Sequence, residues 1–388
     1  MVVRCSAKWT LAQEKGADNL HSVQAGLLVT ISIIFLLSVL LIPCCASLIL
    51  GTPKAAFSYS PSICYPYQRM EFDASGCLSE KDGIVQYEWS FGDGSTGTGC
   101  QVQHTFTAPG DYIVRLAITT EHGQKATVTH TVHVAEGLVV PAVYPTIQAA
   151  IDAAHDSDVV VVLPGTYREN INFKGKAVTV QSTDPDDPAV VDVTMIEGVD
   201  PGFSIVSFAW GETRAATLAG FTIKGGLKYG PCCGGGIYVR EASPTIRNNR
   251  IIDHKGGAIY LVESGAKIID NVISDNESAE PGGAIVVNCY KIAPVITGNA
   301  FSNNSAPFGG AIYITADTID PDPATAAPTI VTDNTFTGNI AKGSSTAPPG
   351  GGAIFVEYWG NLRLDTPDSN TYSGNEPNDI FYTVPPSE

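Results

Sequence analysis

The stretch FSNNSAPFGGAIYI, residues 301–314, joins two asparagines, a glycine pair and a short apolar run. Its second half belongs to a recurring phrase: GGGIYV starts at 234, GGAIYL at 256, GGAIVV at 282, GGAIYI at 309 and GGAIFV at 351, so the starts lie 22, 26, 27 and 42 residues apart. A coil of roughly 20 to 28 residues is a solenoid period, in which each repeat buries its apolar side against the next. Ahead of the glycines runs a companion phrase, NRIIDH (249), NVISDN (271), NAFSNN (299), NTFTGN (334) and NTYSGN (370), reading Asn, any, apolar, any, any, Asn or His. Asparagine suits a tight corner because it tolerates left-handed backbone angles and its amide can bond its counterpart in the next coil, about 4.8 Å away. The expected structural ladder is therefore Asn249, Asn271, Asn299, Asn334 and Asn370, with glycine opening the next corner. The longer gaps carry DTIDPDPATAAP and AKGSSTAPP, expected as loops.

Strand alternation then assigns the side chains of each GG phrase. Its fourth and sixth positions, Ile237/Val239, Ile259/Leu261, Ile285/Val287, Ile312/Ile314 and Ile354/Val356, are aliphatic and should stack inward. The fifth position then points outward and reads Tyr238, Tyr260, Val286, Tyr313, Phe355, with Glu357, Tyr358 and Trp359 just beyond the last of them. A column of aromatics with polar neighbours could hold a sugar polymer, ring faces taking its C–H groups and polar side chains its hydroxyls. The competing reading is that the aromatics only stabilise the ladder beneath covering loops.

Upstream, YPTIQAAIDAAHDSD (144–158) spaces Ile147 and Ile151 four apart, predicting an amphipathic helix, and VVVVLPGTYRENINF and AVTVQS read as strands around a Pro164-Gly165 turn. A short helix followed by this strand pattern resembles the opening of the right-handed parallel β-helix of the pectin-lyase-like superfamily, where such a helix caps the end of the solenoid. The GGAI and FxxN phrases of residues 234–375 are also similar to the repeats of chlamydial polymorphic outer-membrane proteins, which implies a surface location. The β-helix is expected over 143–388 with seven to nine coils, after a short join EGLVVPA (136–142). Within 184–233, PAVVDVTMI, FSIVSFAW and ATLAGFTIKGG read as strands with open coil boundaries.

Residues 54–135 alternate apolar strands with Gly/Asp/Pro turns, the pattern of a β-sandwich. FDAS (72–75), DG (82–83), YEWSFGDG (87–94), HTF (104–106) and PGDYIVRL (109–116) together resemble the PKD (polycystic kidney disease) domain, an immunoglobulin-like sandwich. The resemblance implies a spacer or contact module on an extracellular protein. Asp73, Asp82 and Asp93 are candidate calcium ligands on these turns, against the commoner use of aspartate as a turn former. No other cofactor is implied.

Residues 25–50 run 26 positions without a charge, enough to span a bilayer, and follow Arg4, Lys8 and Lys15 in the segment 1–24. This predicts a transmembrane or signal-anchor helix with everything after it outside the cytoplasm, or a leader cleaved near Cys44–Ala46. The chain has 39 acidic against 22 basic residues, a net charge of −17, and no Lys/Arg cluster, which disfavours a nucleic-acid partner. Six cysteines follow the apolar run, and Cys77 with Cys100 is the expected disulfide; no Cys/His spacing suggests zinc, and no metal site is assigned.

Catalysis has thinner support. The paired NTD/DD/GHG set of polygalacturonases, the QDT and DFxFG of pectin methylesterases and the RxPxxR of pectate lyases are not found in the chain. GTYREN (165–170) resembles the first strand of pectin methylesterases, where that piece is structural. Asp253, His254 and Lys255 could supply an acid and a base on one turn, but His254 also stands at the ladder position of its phrase. The fold class expected is all-β, an apolar N-terminal helix followed by a sandwich and a β-helix. The expected function is a cell-surface or secreted protein that binds polysaccharide or envelope glycan, leaning against enzyme activity, with a polysaccharide lyase or glycoside hydrolase and a structural envelope protein as alternatives.

Overall fold

The computed structural model describes residues 52–62, 64–79, 82–227, 235–289, 292–315, 328–345, 347–357, 362–363 and 369–383. The apolar segment 25–50 lies outside them, and among the described residues no helix is long and apolar enough to cross a membrane.

The first module is a sandwich of two antiparallel sheets. Strands Ser58–Ser60, Arg69–Asp73 and Gln101–Thr105 form one; Thr96–Thr98, Ile84–Ser90, Gly110–Thr120 and Lys125–Val134 form the other. Alternation puts Met70 and Phe72 from one sheet and Trp89, Val114, Leu116 and Ile118 from the other into a dry centre. Trp89 can be buried because its indole Nε1 donates to the Gly99 carbonyl at 2.9 Å. The following turn is closed by Asp93, whose Oδ1 accepts from the Ser95 backbone N–H at 2.9 Å, and by Gly92 at φ +86°.

The second module is a parallel three-faced solenoid. Among the described residues, two of its faces have eight strands each and the remaining one has nine, ordered coil upon coil. Three in-register columns fill its interior. One runs Val180, Leu218, Ile246, Ile268, Ile296 and Val331; the next runs Ile196, Ile223, Ile251, Ile273, Phe301 and Phe336. The last runs Val206, Ile237, Ile259, Ile285, Ile312 and Ile354, and Val239, Leu261, Val287, Ile314 and Val356 also lie inside. We call the faces carrying these columns the first, second and third.

Helix α1, Ile147–Ala153, closes the N-terminal end, burying Ile147, Ala150 and Ile151. Its free backbone donors are met by Thr146, which accepts from Ala149, and by the Glu169 carboxylate, which accepts from Ile147 and Gln148 at 3.0 and 2.9 Å. Two segments differ from expectation. Residues Leu138–Val140 of the supposed join pair in parallel with Val160–Val162 and so begin the solenoid. Within PAVVDVTMI, Pro188–Val193 forms a short helix α2, because Asp187 caps it through the Ala189 N–H and Pro188 sits where its missing N–H costs nothing, and only Thr194–Glu197 is a strand.

Asn249, Asn271, Asn299, Asn334 and Asn370 do form a ladder. Each of the first four donates both its backbone N–H and its side-chain amide to the Oδ1 of the next, at 2.9–3.1 Å. A second ladder runs beside it through His254, Asn276, Asn304, Asn339 and Asn375. The left-handed backbone, however, belongs to the residue before the rung: Asn248, Asp253, Asp270, Asp275, Asn303 and Asp333 have φ between +53° and +58°. The rung asparagines are kept for their amides alone. The second glycine of the GG phrase has a packing cause, since a Cβ on Gly310 would meet the Gly352 carbonyl of the next coil.

Candidate functional site

The outward column of the third face pairs Tyr238 with Tyr260, Tyr260 with Val286, Val286 with Tyr313 and Tyr313 with Phe355, in the order expected. Tyr238 and Tyr260 are half-buried and stack on each other, ring centroids 6.2 Å apart at 21°. Each ring thus has one face turned toward the other.

The C-terminal half of the column departs from expectation. Tyr313 and Phe355 are buried, at 9% and 6% exposure, because Phe308 and Phe381 pack on Phe355, each with centroids 5.2 Å away, and Phe355 in turn stacks on Tyr313. Burial and the Glu357 carboxylate push the Tyr313 phenol up. Glu357 itself is half-buried and accepts a 2.6 Å hydrogen bond from Thr315. Tyr358 and Trp359 lie outside the described residues.

The turn Asp253, His254, Lys255 does not converge. His254 is fully buried and points inward, whereas Asp253 is exposed at a left-handed corner and Lys255 is exposed and paired with Glu277 at 2.7 Å. The His254 ring copies an asparagine amide: Nδ1 accepts from the Gly226 N–H at 3.0 Å, and Nε2 sits 3.1 Å from the Ile223 carbonyl. Burial lowers its pKa to about 4, which keeps the ring neutral, with a proton on Nε2 for that carbonyl. This geometry gives it a ladder role and removes it as a general base.

In the sandwich, Asp73 accepts from Ser75 and Gln101, Asp82 pairs with His122 at 3.0 Å, and Asp93 pairs with His104 at 2.8 Å. These three carboxylates serve separate turns, and among the described residues no group of three or more metal-ligating side chains forms. The expected disulfide is absent: Cys77 and Cys100 are free thiols, with Cys77 Sγ donating to the Ala56 carbonyl at 3.1 Å.

Between the modules lies a polar cleft of about 600 Å3. Arg69 crosses it to Asp187 at 3.0 Å and Asp184 at 3.7 Å, and Arg247 holds Asp186. Burial raises the Asp184 pKa, with Asp187 and Asp186 adding to it.

The family model described as "PKD domain" matches residues 51–135, and that described as "Right handed beta helix region" matches residues 207–375. The chain is a PKD domain followed by a right-handed β-helix. Among curated relatives, a microbial collagenase of Vibrio alginolyticus is 37% identical over 65 residues, covering 17% of this chain and 8% of the relative. Collagenase ColA of Bacillus cereus is 24% identical over 177 residues, covering 42% and 17%. The chain thus spans less than a fifth of these relatives. Among solved structures, the PKD1 domain of Vibrio anguillarum Epp is 25% identical, covering 22% of this chain and 95% of that one with a TM-score of 0.20. Pectin methylesterase PemA from Erwinia chrysanthemi is 11% identical, covering 64% and 92% with a TM-score of 0.36.

Two exposed aromatics escaped the sequence reading. Phe203 and Trp210, 65% and 70% exposed, stand at opposite ends of the third-face strand Val206–Phe208. Their signal was the segment FSIVSFAW, in which Val206 and Phe208 alternate inward on a three-residue strand and the two terminal rings fall beyond its ends.

Proposed function

We propose that this chain is an extracytoplasmic, non-catalytic protein that binds polysaccharide or cell-envelope glycan through the third face of its β-helix, with the PKD domain as spacer or contact module. Residues 25–50 serve as the membrane anchor or as a cleaved leader, and the likeness of the GG repeats to the chlamydial surface proteins fits the same location. The observation that supports the reading best is the Tyr238–Tyr260 pair. Two half-buried phenols in register on the outward side of this face set polar groups at one-coil spacing beside Arg240 and Asn288. Full-length protein run through polysaccharide-containing gels tests it. Tyr238→Ala with Tyr260→Ala should weaken retention at least about tenfold, equal to 1.4 kcal/mol, at an unchanged melting temperature. Retention equal to wild type would remove the tyrosine pair from the binding surface, and no retention of the wild-type chain on any polysaccharide would remove the reading.

An enzymatic reading, polysaccharide lyase or glycoside hydrolase, draws on Asp184, an acid with a raised pKa in a cleft. Glycoside hydrolysis needs a second carboxylate across the scissile bond. The neighbouring ones are occupied, Asp187 by Arg69 and the α2 cap, Asp186 by Arg247 and Asn248. New reducing or unsaturated ends that Asp184→Asn abolishes would replace the binding reading.

A further inference from the structure

We propose that the principal sugar platform is a rigid aromatic clamp, Phe203 and Trp210, set at the N-terminal end of the third face, and that it takes an uncharged polysaccharide. This rests on the glycan-binding reading above and moves its centre one coil toward α1.

Both rings are displayed deliberately. Trp210 is the most exposed large apolar side chain among the described residues. Its backbone N–H donates at 2.9 Å to Glu212, whose carboxylate is buried and also accepts from the Gly175 N–H at 2.9 Å. Gly175, at φ +77°, has no Cβ to strike the Trp210 carbonyl, which would lie 3.1 Å away. The Phe203 loop has its own clasp: Asn170 Oδ1 accepts from Val199 and Asp200 at 3.0 Å, and its Nδ2 donates to the carbonyls of Phe203 and Ser204 at 3.3 and 3.0 Å. Buried or half-buried polar groups thus hold two large rings in water, where an unbound ring gains nothing from exposure. Preorganised aromatic groups of this kind lower the ordering cost of binding.

The ring faces are open. Tyr238 and Tyr260 cover each other, whereas neither Phe203 nor Trp210 contacts another ring among the described residues. Between them the floor is polar and half-buried, with Ser207 on the strand itself, Asn172 on the coil before and Gln148 on α1. Apolar walls over a hydroxyl- and amide-bearing floor match a sugar ring, which has C–H faces and hydroxyl edges.

Charge sets the class. Among the described residues of this end, Lys174 is held by Asp152 at 2.7 Å, Arg168 by Glu197 at 3.1 Å, Arg240 by Glu241 at 3.2 Å and Lys176 by three carbonyls at 2.8 Å, while the exposed Arg214, four residues past Trp210, makes no ion pair. A polyuronate carries a carboxylate on every sugar and would meet a floor of Ser207, Asn172 and Gln148 that holds no cation, on a chain of net charge −17. An uncharged chain meets no such repulsion.

The test is retention of the full-length chain on xylan, galactomannan and a soluble β-glucan, with polygalacturonate as the anionic arm, for wild type, Trp210→Ala, Phe203→Ser and Tyr260→Ala. Trp210 lies on the surface, so far-UV circular dichroism and melting temperature should not change in its variant. The expected result is retention on at least one neutral polymer, at least tenfold weaker in Trp210→Ala, and none on polygalacturonate at low salt. Retention on a neutral polymer that Trp210→Ala leaves intact while Tyr260→Ala abolishes it would overturn the clamp and keep the glycan reading. Retention on polygalacturonate alone would overturn the assignment to uncharged sugars. Retention on nothing would sink both, and self-association lost in Trp210→Ala, seen by sedimentation, would reassign the rings to a second copy of the chain.

Discussion

The PKD domain and the β-helix keep their interiors dry by opposite means. In the sandwich the centre is aromatic, with Phe57, Phe72, Trp89, Phe91 and Phe106 buried together, while its polar turn residues Asp73 and Asp93 sit at the surface. In the β-helix the centre is mostly aliphatic, yet the corners bury asparagines at 0–1% exposure. The difference follows from where corners lie. A sandwich turn reaches water, so its backbone donors can be hydrated; a solenoid corner is pressed between two others, and its N–H groups need a protein acceptor. The sandwich therefore needs few buried polar side-chain bonds beyond that of Trp89, whereas the solenoid adds a file of buried amides to its packing.

The sharpest way to break this contrast is Asn299→Leu. It leaves the Asn271 backbone N–H unpaired in a dry corner and takes the amide from the Ile268 carbonyl and the Asn334 Oδ1, so denaturant unfolding should show a loss of about 4 kcal/mol. A loss below about 1 kcal/mol would mean that the ladder is ornamental.

Acid should damage the β-helix next most. The unfolded chain protonates His254 near 6.5 and the folded chain only near 4, so its contribution is full above about pH 7, falls through that window and levels off below it. The total is about 3 kcal/mol. His254→Asn keeps the rung without a titrating ring, and its stability should be flat where the wild type declines. An unchanged slope in that variant would assign the decline elsewhere.

The sandwich should respond more mildly to a polar loss. Trp89→Phe removes the bond to Gly99 but keeps an aromatic core, and should cost about 1–2 kcal/mol. A cost matching that of Asn299→Leu would erase the distinction between the modules.

Much of this was legible in the chain. The GG and Asn phrases marked the solenoid because coils in register must repeat their contacts, and period-two alternation located Ile237 to Val356 inside. What alternation does not encode is cover. Tyr313 and Phe355 have outward parity, but Phe308 and Phe381 arrive from other turns to bury them. Likewise the proximity of Asp253, His254 and Lys255 in sequence says nothing of direction, and a corner sends neighbours to opposite sides. The Phe203–Trp210 clamp was missed because the groups that fix it, Asn170 and Glu212, bond only to backbone, and one of them sits a whole coil away.

The most direct test of the account is to incubate the full-length chain with neutral and uronate polymers, with and without calcium, and to measure retention and new chain ends in the same samples. The account predicts retention of an intact neutral polymer with no new reducing or unsaturated ends. Cleavage, or retention confined to polyuronates, would contradict it.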